Sequence, residues 1–139
     1  FPYTTLFRSK ESPYNFAYYV LNMDRGRLYE RIDLRVDLMM KNGLLAEVEK
    51  LKEMGCTREM VSMQGLGYKE ILDALEGTIS LDEAVYIIKR DTRHFAKRQL
   101  TWFKRDARIH WIFVDQEEGL DGILQNSLAY LKKQGMIEK

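Results

Sequence analysis

A single cysteine, Cys56, leaves this 139-residue chain unable to build a disulfide framework or a cysteine-based metal site. A reducing compartment therefore suits it better than secretion. Histidine is almost as scarce: His94 and His110 are the only two, and neither forms a close motif with Cys56. No local Ser/His/Asp or Cys/His arrangement offers an activated nucleophile. The carboxylates Asp24, Glu30 and Asp33 lack the partners that general acid–base work or metal binding requires. No apolar run approaches the ~20 residues needed to span a bilayer, and no cleavable secretory signal is evident; a cytoplasmic protein without a membrane partner is expected. An excess of one charge is missing too, since 22 Lys and Arg stand against 21 Asp and Glu for a formal net charge of +1. What remains is a chain that is 45% hydrophobic, enough to bury one modest core and too apolar to be disordered by composition.

Against that near-neutral balance, residues 89–108, KRDTRHFAKRQLTWFKRDAR, hold eight Lys or Arg and two Asp. At helical period Arg90, Arg93, Lys97, Thr101, Lys104 and Arg108 fall near one face, while Ile88, Phe95, Gln99 and Trp102 lean toward another. A helix buried on one side and cationic on the other presents a row of charges to a polyanion, and nucleic acid backbone is the commonest one. The alternative is a solvated face on an ordinary surface helix.

The remaining segments read in order as strand, helices, strand, helix. Residues 15–23, NFAYYVLNM, suit a largely buried strand. Asp24 caps a helix whose apolar stripe is Leu28, Ile32, Val36, Met39 and Met40; its alternating charges Glu30, Arg31, Asp33, Arg35 and Asp37 read as surface pairs. Gly43 breaks the pattern, and LLAEVEKLKEMG forms a second helix ending at Gly55. Residues 56–63 connect to a short helix over 69–75. SLDE at residues 80–83 is a capping box that opens the basic helix. IHWIFV, residues 109–114, is a second strand, and residues 119–133 form a closing helix with Leu120, Ile123, Leu124, Leu128 and Leu131 on its apolar side. Two strands so far apart in the chain do not make a sheet of their own and fit best as additions to a larger parallel sheet; a self-sufficient helical domain with a small strand pair is the other reading. Residues 1–9, FPYTTLFRS, carry no pattern that persists and read as a non-native leader, which leaves residues 10–139 as the domain.

Two stretches carry candidate chemistry. In the basic helix Arg90, Arg93 and Lys97 are placed to run along phosphates; Gln99 and Thr101 add uncharged hydrogen-bonding groups. Trp102 either stacks on a base or seals a core, and Arg98 either pairs with an acid or reaches a phosphate. In Gln64-Gly65-Leu66-Gly67-Tyr68-Lys69, two glycines permit close approach and the following helix start offers amides to an anion. The competing reading is a structural turn with Tyr68 packed on the core. GLG matches neither GxGxxG nor the phosphate-loop sequence GxxxxGK[ST], so it is no nucleotide fingerprint by itself.

Taken together, MDRGRLYERIDLRVDLMMKNGLLAEVEKLKEMG, SMQGLGYKEILDALEG and DTRHFAKRQLTWFKRD resemble the C-terminal region of the tRNA dimethylallyltransferase (tRNA isopentenyltransferase) family over residues 12–115. The resemblance implies a mostly helical α/β C-terminal part of a P-loop nucleotide-kinase-like parallel-sheet fold, keeping about two strands. It implies a magnesium-assisted, monomeric enzyme moving a dimethylallyl group from its diphosphate to N6 of adenine 37 in tRNA. The tRNA anticodon arm would meet Gln64, Gly65, Leu66, Gly67, Tyr68 and Lys69, and also Arg93, Lys97, Arg98, Gln99, Leu100, Thr101, Trp102, Phe103 and Lys104. Leu100 is an ordinary apolar variation within KRQxTW. Arg31 and Arg35 match basic positions in the family's corresponding helix, where diphosphate contact is implied as an option. The family's phosphate-cradling loop and its catalytic Asp find no match here, so these 139 residues are expected to position tRNA and to be inactive alone. A stand-alone RNA-binding module and a basic-faced protein-interaction module are the alternatives.

Overall fold

A computed structural model describes residues 13–138; the expected leader at residues 1–9 lies outside them. The described chain runs β1 (Tyr18–Asn22), α1 (Arg25–Lys41), α2 (Leu44–Glu53), a single 3-10 turn (Val61–Gln64), α3 (Tyr68–Leu75), α4 (Leu81–Phe103), β2 (Ile109–Phe113) and α5 (Gly119–Lys133). This is the mostly helical, two-stranded α/β arrangement that the sequence suggested. Two compact units divide it, one of Asp24–Trp102 and one of the strands with α5.

The helical unit follows from local signals. The Asp24 carboxylate accepts from the Arg27 N–H at 3.2 Å and starts α1. Past Lys41 the backbone turns at Gly43, whose φ of 101° lies where a side chain is disfavoured, and α2 begins at once. Ser80 Oγ accepts from the Glu83 N–H at 3.1 Å and opens α4. One core joins the elements: Val36, Leu44, Val48, Met63, Ile71, Leu72, Ala84 and Ile88 are buried together, each large aliphatic side chain among them contributing about 1.5–3 kcal/mol. Beside it, Arg93 meets Asp33 at 2.5 Å and Lys89 meets Asp37 at 2.6 Å. Both pairs sit four residues apart on their own helix and run in opposite order, so they join α1 and α4 as an antiparallel ladder. The acids expected to pair within α1 reach across to α4 instead.

In the other unit β1 and β2 pair in parallel, Tyr18 opposite Ile109 through Asn22 opposite Phe113. Val20, Ile109 and Ile112 are buried. α5 is tied down by polar groups: the Tyr19 hydroxyl donates to the Ser127 carbonyl at 2.9 Å, and His110 Nε2 meets Asn126 Oδ1 at 2.8 Å. Asn126 in turn donates to Glu117 at 2.7 Å, while His110 stacks on Tyr130 with centroids 4.2 Å apart. The inward face of α5 therefore joins Ile123, Leu128 and Leu131, expected there, to Asn126, Ser127 and Tyr130. Leu120, expected on the apolar side, is 84% exposed, and Leu124 is exposed as well.

Candidate RNA-contact surface

α3 begins on a turn that only one of its two glycines requires. Gly65 has an extended backbone (φ −62°, ψ 149°) open to any residue. Gly67 has φ 104° and ψ −52° and is buried, so a side chain there is strained by the backbone itself. Its N–H donates to Glu70 Oε2 at 2.8 Å in a buried hydrogen bond. Glu70 is 3% exposed, and its other oxygen, Oε1, lies 3.3 Å from Lys69 Nζ. One buried carboxylate thus fixes the turn with one oxygen and holds the neighbouring ammonium with the other. The expectation that this helix start offers amides to an anion does not hold: the Tyr68 and Lys69 N–H groups both point to the Gly65 carbonyl, at 3.2 and 3.5 Å. Tyr68 packs against the core and donates its hydroxyl to Glu47 at 2.6 Å, a bond that raises its ionisation above the usual phenol range. The structural reading of Tyr68 is the one observed.

α4 divides its cations between two tasks. Lys89 and Arg93 are engaged with Asp37 and Asp33 on α1, so Arg93, expected along phosphates, is part-buried in an ion pair. Arg90 donates to its neighbour Asp91 at 2.8 Å. Lys97, Arg98 and Gln99 are exposed, as are Thr101 and Trp102; Leu100 is half-buried. Trp102 is 61% exposed, so it seals no core among the described residues. The Thr101 hydroxyl donates back to the Lys97 carbonyl at 2.9 Å. The helix stops at Phe103, whose ring meets Tyr18 edge-on at 6.3 Å. The expected cationic face through Lys104 and Arg108 is therefore cut short. Beyond it Asp106 grips Arg108 at both guanidinium (2.6 and 2.9 Å) and backbone N–H (3.0 Å), which holds its own carboxyl down at about 2. Lys104 lies exposed beyond the helix end.

The turn and the helix meet. Leu66 and Lys69 share an open depression of about 480 Å³ with Asp91, His94, Phe95 and Arg98. A second depression, about 450 Å³, lies between Lys69 and Arg58, Glu59 and Gln64. Lys69 borders both, so Gln64, Leu66, Lys69 and Arg98, all expected at an RNA interface, belong to one surface. Arg31 and Arg35 are exposed on α1 and line neither depression. Asp91, His94 and Phe95 were not singled out from sequence as contacts; Phe95 read as core at its helical spacing. Glu70 carried one usable signal, its position three residues after Gly67, the offset of a capping box. Among the described residues no three His, Cys, Asp or Glu side chains converge to hold a metal ion, and no helix is long and apolar enough to cross a membrane.

Comparison with known proteins gives this surface its context. The family described as IPP transferase matches residues 2–106. A tRNA dimethylallyltransferase of Lachnoclostridium phytofermentans is 55% identical over 131 residues, 94% of this chain and 42% of that protein. The tRNA dimethylallyltransferase of Clostridioides difficile is 53% identical over 113 residues, 81% of this chain and 36% of its own length. The full-length tRNA isopentenylpyrophosphate transferase of Bacillus halodurans superposes with a TM-score of 0.79 at 37% identity, covering 96% of this chain and 45% of that one. That of Staphylococcus epidermidis gives 0.80 at 37% identity, covering 88% and 39%. The chain thus spans about two fifths of the relatives it matches, and its two strands and helices form part of their P-loop-like fold. With well over half of its length matched, the chain belongs to the IPP transferase family, that of the tRNA dimethylallyltransferases.

Proposed function

We propose that this protein serves the transfer of a dimethylallyl group from dimethylallyl diphosphate to N6 of adenine 37 in tRNA, acting as a cytoplasmic monomer. Its described surface holds the anticodon arm. In that reaction the adenine amine attacks the allylic carbon, the new N–C bond forms as the C–O bond to diphosphate breaks, and N6 gives up a proton. The target base must leave its stack to be reached. Magnesium would neutralise the leaving diphosphate, and no described residue is assigned to hold it. The part of the described residues is to bind and orient RNA. Arg31 and Arg35, exposed on α1, are the candidates for the diphosphate.

One observation carries this reading: the glycine turn and the outward face of α4 meet at one surface that carries Lys69 and Arg98 beside Asp91. Lys97, Arg98, Gln99, Thr101 and Trp102 extend it along the helix. Arg93, paired with Asp33, contributes by holding α4 against α1. The test is binding of an anticodon stem-loop RNA to the chain across a salt series, with an acidic protein as control. Lys69→Ala combined with Arg98→Ala should weaken RNA binding and flatten the salt dependence by roughly one unit of slope per lost phosphate contact. RNA affinity unchanged by the pair at every salt concentration, or equal capture of the acidic protein, would reject the RNA role.

A further inference from the structure

Phe95 is out of place for a core residue. The α4 stripe that faces the core runs through Ala84 and Ile88, both buried. One turn on, Thr92 turns its hydroxyl back to the Ile88 carbonyl at 2.7 Å. At the next step the stripe reaches Phe95, which is 45% exposed. Its ring, with Leu66, forms the apolar part of the depression, while Lys69, His94 and Arg98 supply positive or protonatable groups around it. The Arg98 guanidinium lies over the Phe95 ring, 5.8 Å from its centroid, within cation–π range. At about 480 Å³ the space is of the size that admits a small planar ligand, and it is open rather than enclosing.

We propose that this depression is a subsite for one unstacked nucleotide of the bound RNA, its base against Phe95 and Leu66 and its phosphate toward Lys69 and Arg98. The inference rests on the RNA-binding reading above and adds a base-contact site to it. An aromatic face beside a guanidinium plane is the arrangement on which splayed-out RNA bases stack. Asp91 sets the orientation. Its carboxyl is held below the usual range chiefly by the hydrogen bond from Arg90, with the Lys69 and His94 charges adding to it. A charged carboxylate in the depression repels a phosphate and accepts from an N–H on a base edge, so the base enters toward Asp91 and the phosphate stays at the cationic rim.

The test uses the chain and an anticodon stem-loop carrying 2-aminopurine at single loop positions. Phe95→Leu keeps an apolar side chain of similar bulk and removes the aromatic face; Phe95→Tyr keeps the face. Phe95→Leu should bind roughly 10-fold more weakly with an unchanged salt slope, while Phe95→Tyr stays within about twofold. One loop position should show stacking-quenched fluorescence in the native complex and lose the quenching with Phe95→Leu. Native affinity and unchanged fluorescence for Phe95→Leu, with Arg98→Ala still weakening binding, overturns the subsite and leaves the RNA reading standing. Failure of the native chain to bind the stem-loop at any salt concentration removes both.

Discussion

Substituting Glu70 by alanine and by glutamine separates the two tasks of its buried carboxylate. Alanine leaves the Gly67 N–H without its acceptor in a buried place, at a cost of about 1–3 kcal/mol. It also releases Lys69, a half-exposed partner worth at most about 1 kcal/mol at a screened surface. The sum, roughly 1–4 kcal/mol, corresponds to a fall in Tm of about 3–14 °C for a chain of this size. Glutamine keeps a carbonyl oxygen to accept from Gly67 and loses only the charge toward Lys69, so it should cost about 1 kcal/mol or less and under about 5 °C. Thermal unfolding followed by circular dichroism gives both figures. Amide exchange at Gly67 adds a local reading, fast in Glu70→Ala and protected in Glu70→Gln. Equal destabilisation by the two variants would refute the argument, because the charge rather than the accepted hydrogen bond would then be what matters.

Two further outcomes follow from the same physics. Arg93→Ala should lower stability by roughly 0.5–1 kcal/mol and the exchanged pair Asp33→Arg with Arg93→Asp should recover most of it, as read by denaturant midpoint; no recovery would dissolve the α1–α4 ladder. The Asp106 carboxyl should titrate at about 2 by carbon-detected NMR and return toward 3.8 in Arg108→Ala. Because its folded value is depressed, the support it gives the folded state is complete above about pH 4 and drains away as pH falls from 3.8 through 2; titration near 3.8 in the native chain would refute the turn geometry.

Short-range chemistry was legible in the sequence. The Asp24 and Ser80 caps, the break at Gly43 and the span of α5 could all be read from residues within one helical turn of each other. That β1 and β2 are strands was legible as well; that they pair with each other was not, since both read best as additions to a larger sheet. What escaped needed a distant partner. Arg93 reads as a free cation until Asp33, sixty residues earlier, is seen beside it. α5 reads as a leucine stripe because hydropathy gives no weight to the polar face that Asn126 and Ser127 turn toward Tyr19 and His110. Phe95 reads as core because its spacing continues that of Ala84 and Ile88, and spacing alone does not say where the neighbouring helices end. At the site, the glycine turn and the cationic helix were each visible, and the family resemblance set both against one RNA arm; that Asp91, His94 and Phe95 line the depression between them was not visible, since no local pattern encodes it.

The parallel pairing of Tyr18 with Ile109 joins residues ninety-one positions apart. As the polypeptide leaves the ribosome, β1 emerges roughly 5–20 s before β2 at ordinary synthesis rates. During that wait β1 lacks its β2 partner, while every contact of the Asp24–Trp102 core can already form. The ring closed by this late pairing is long, and its entropic toll falls on the final step of assembly. Within these residues the helical core can therefore settle before the strand pair closes.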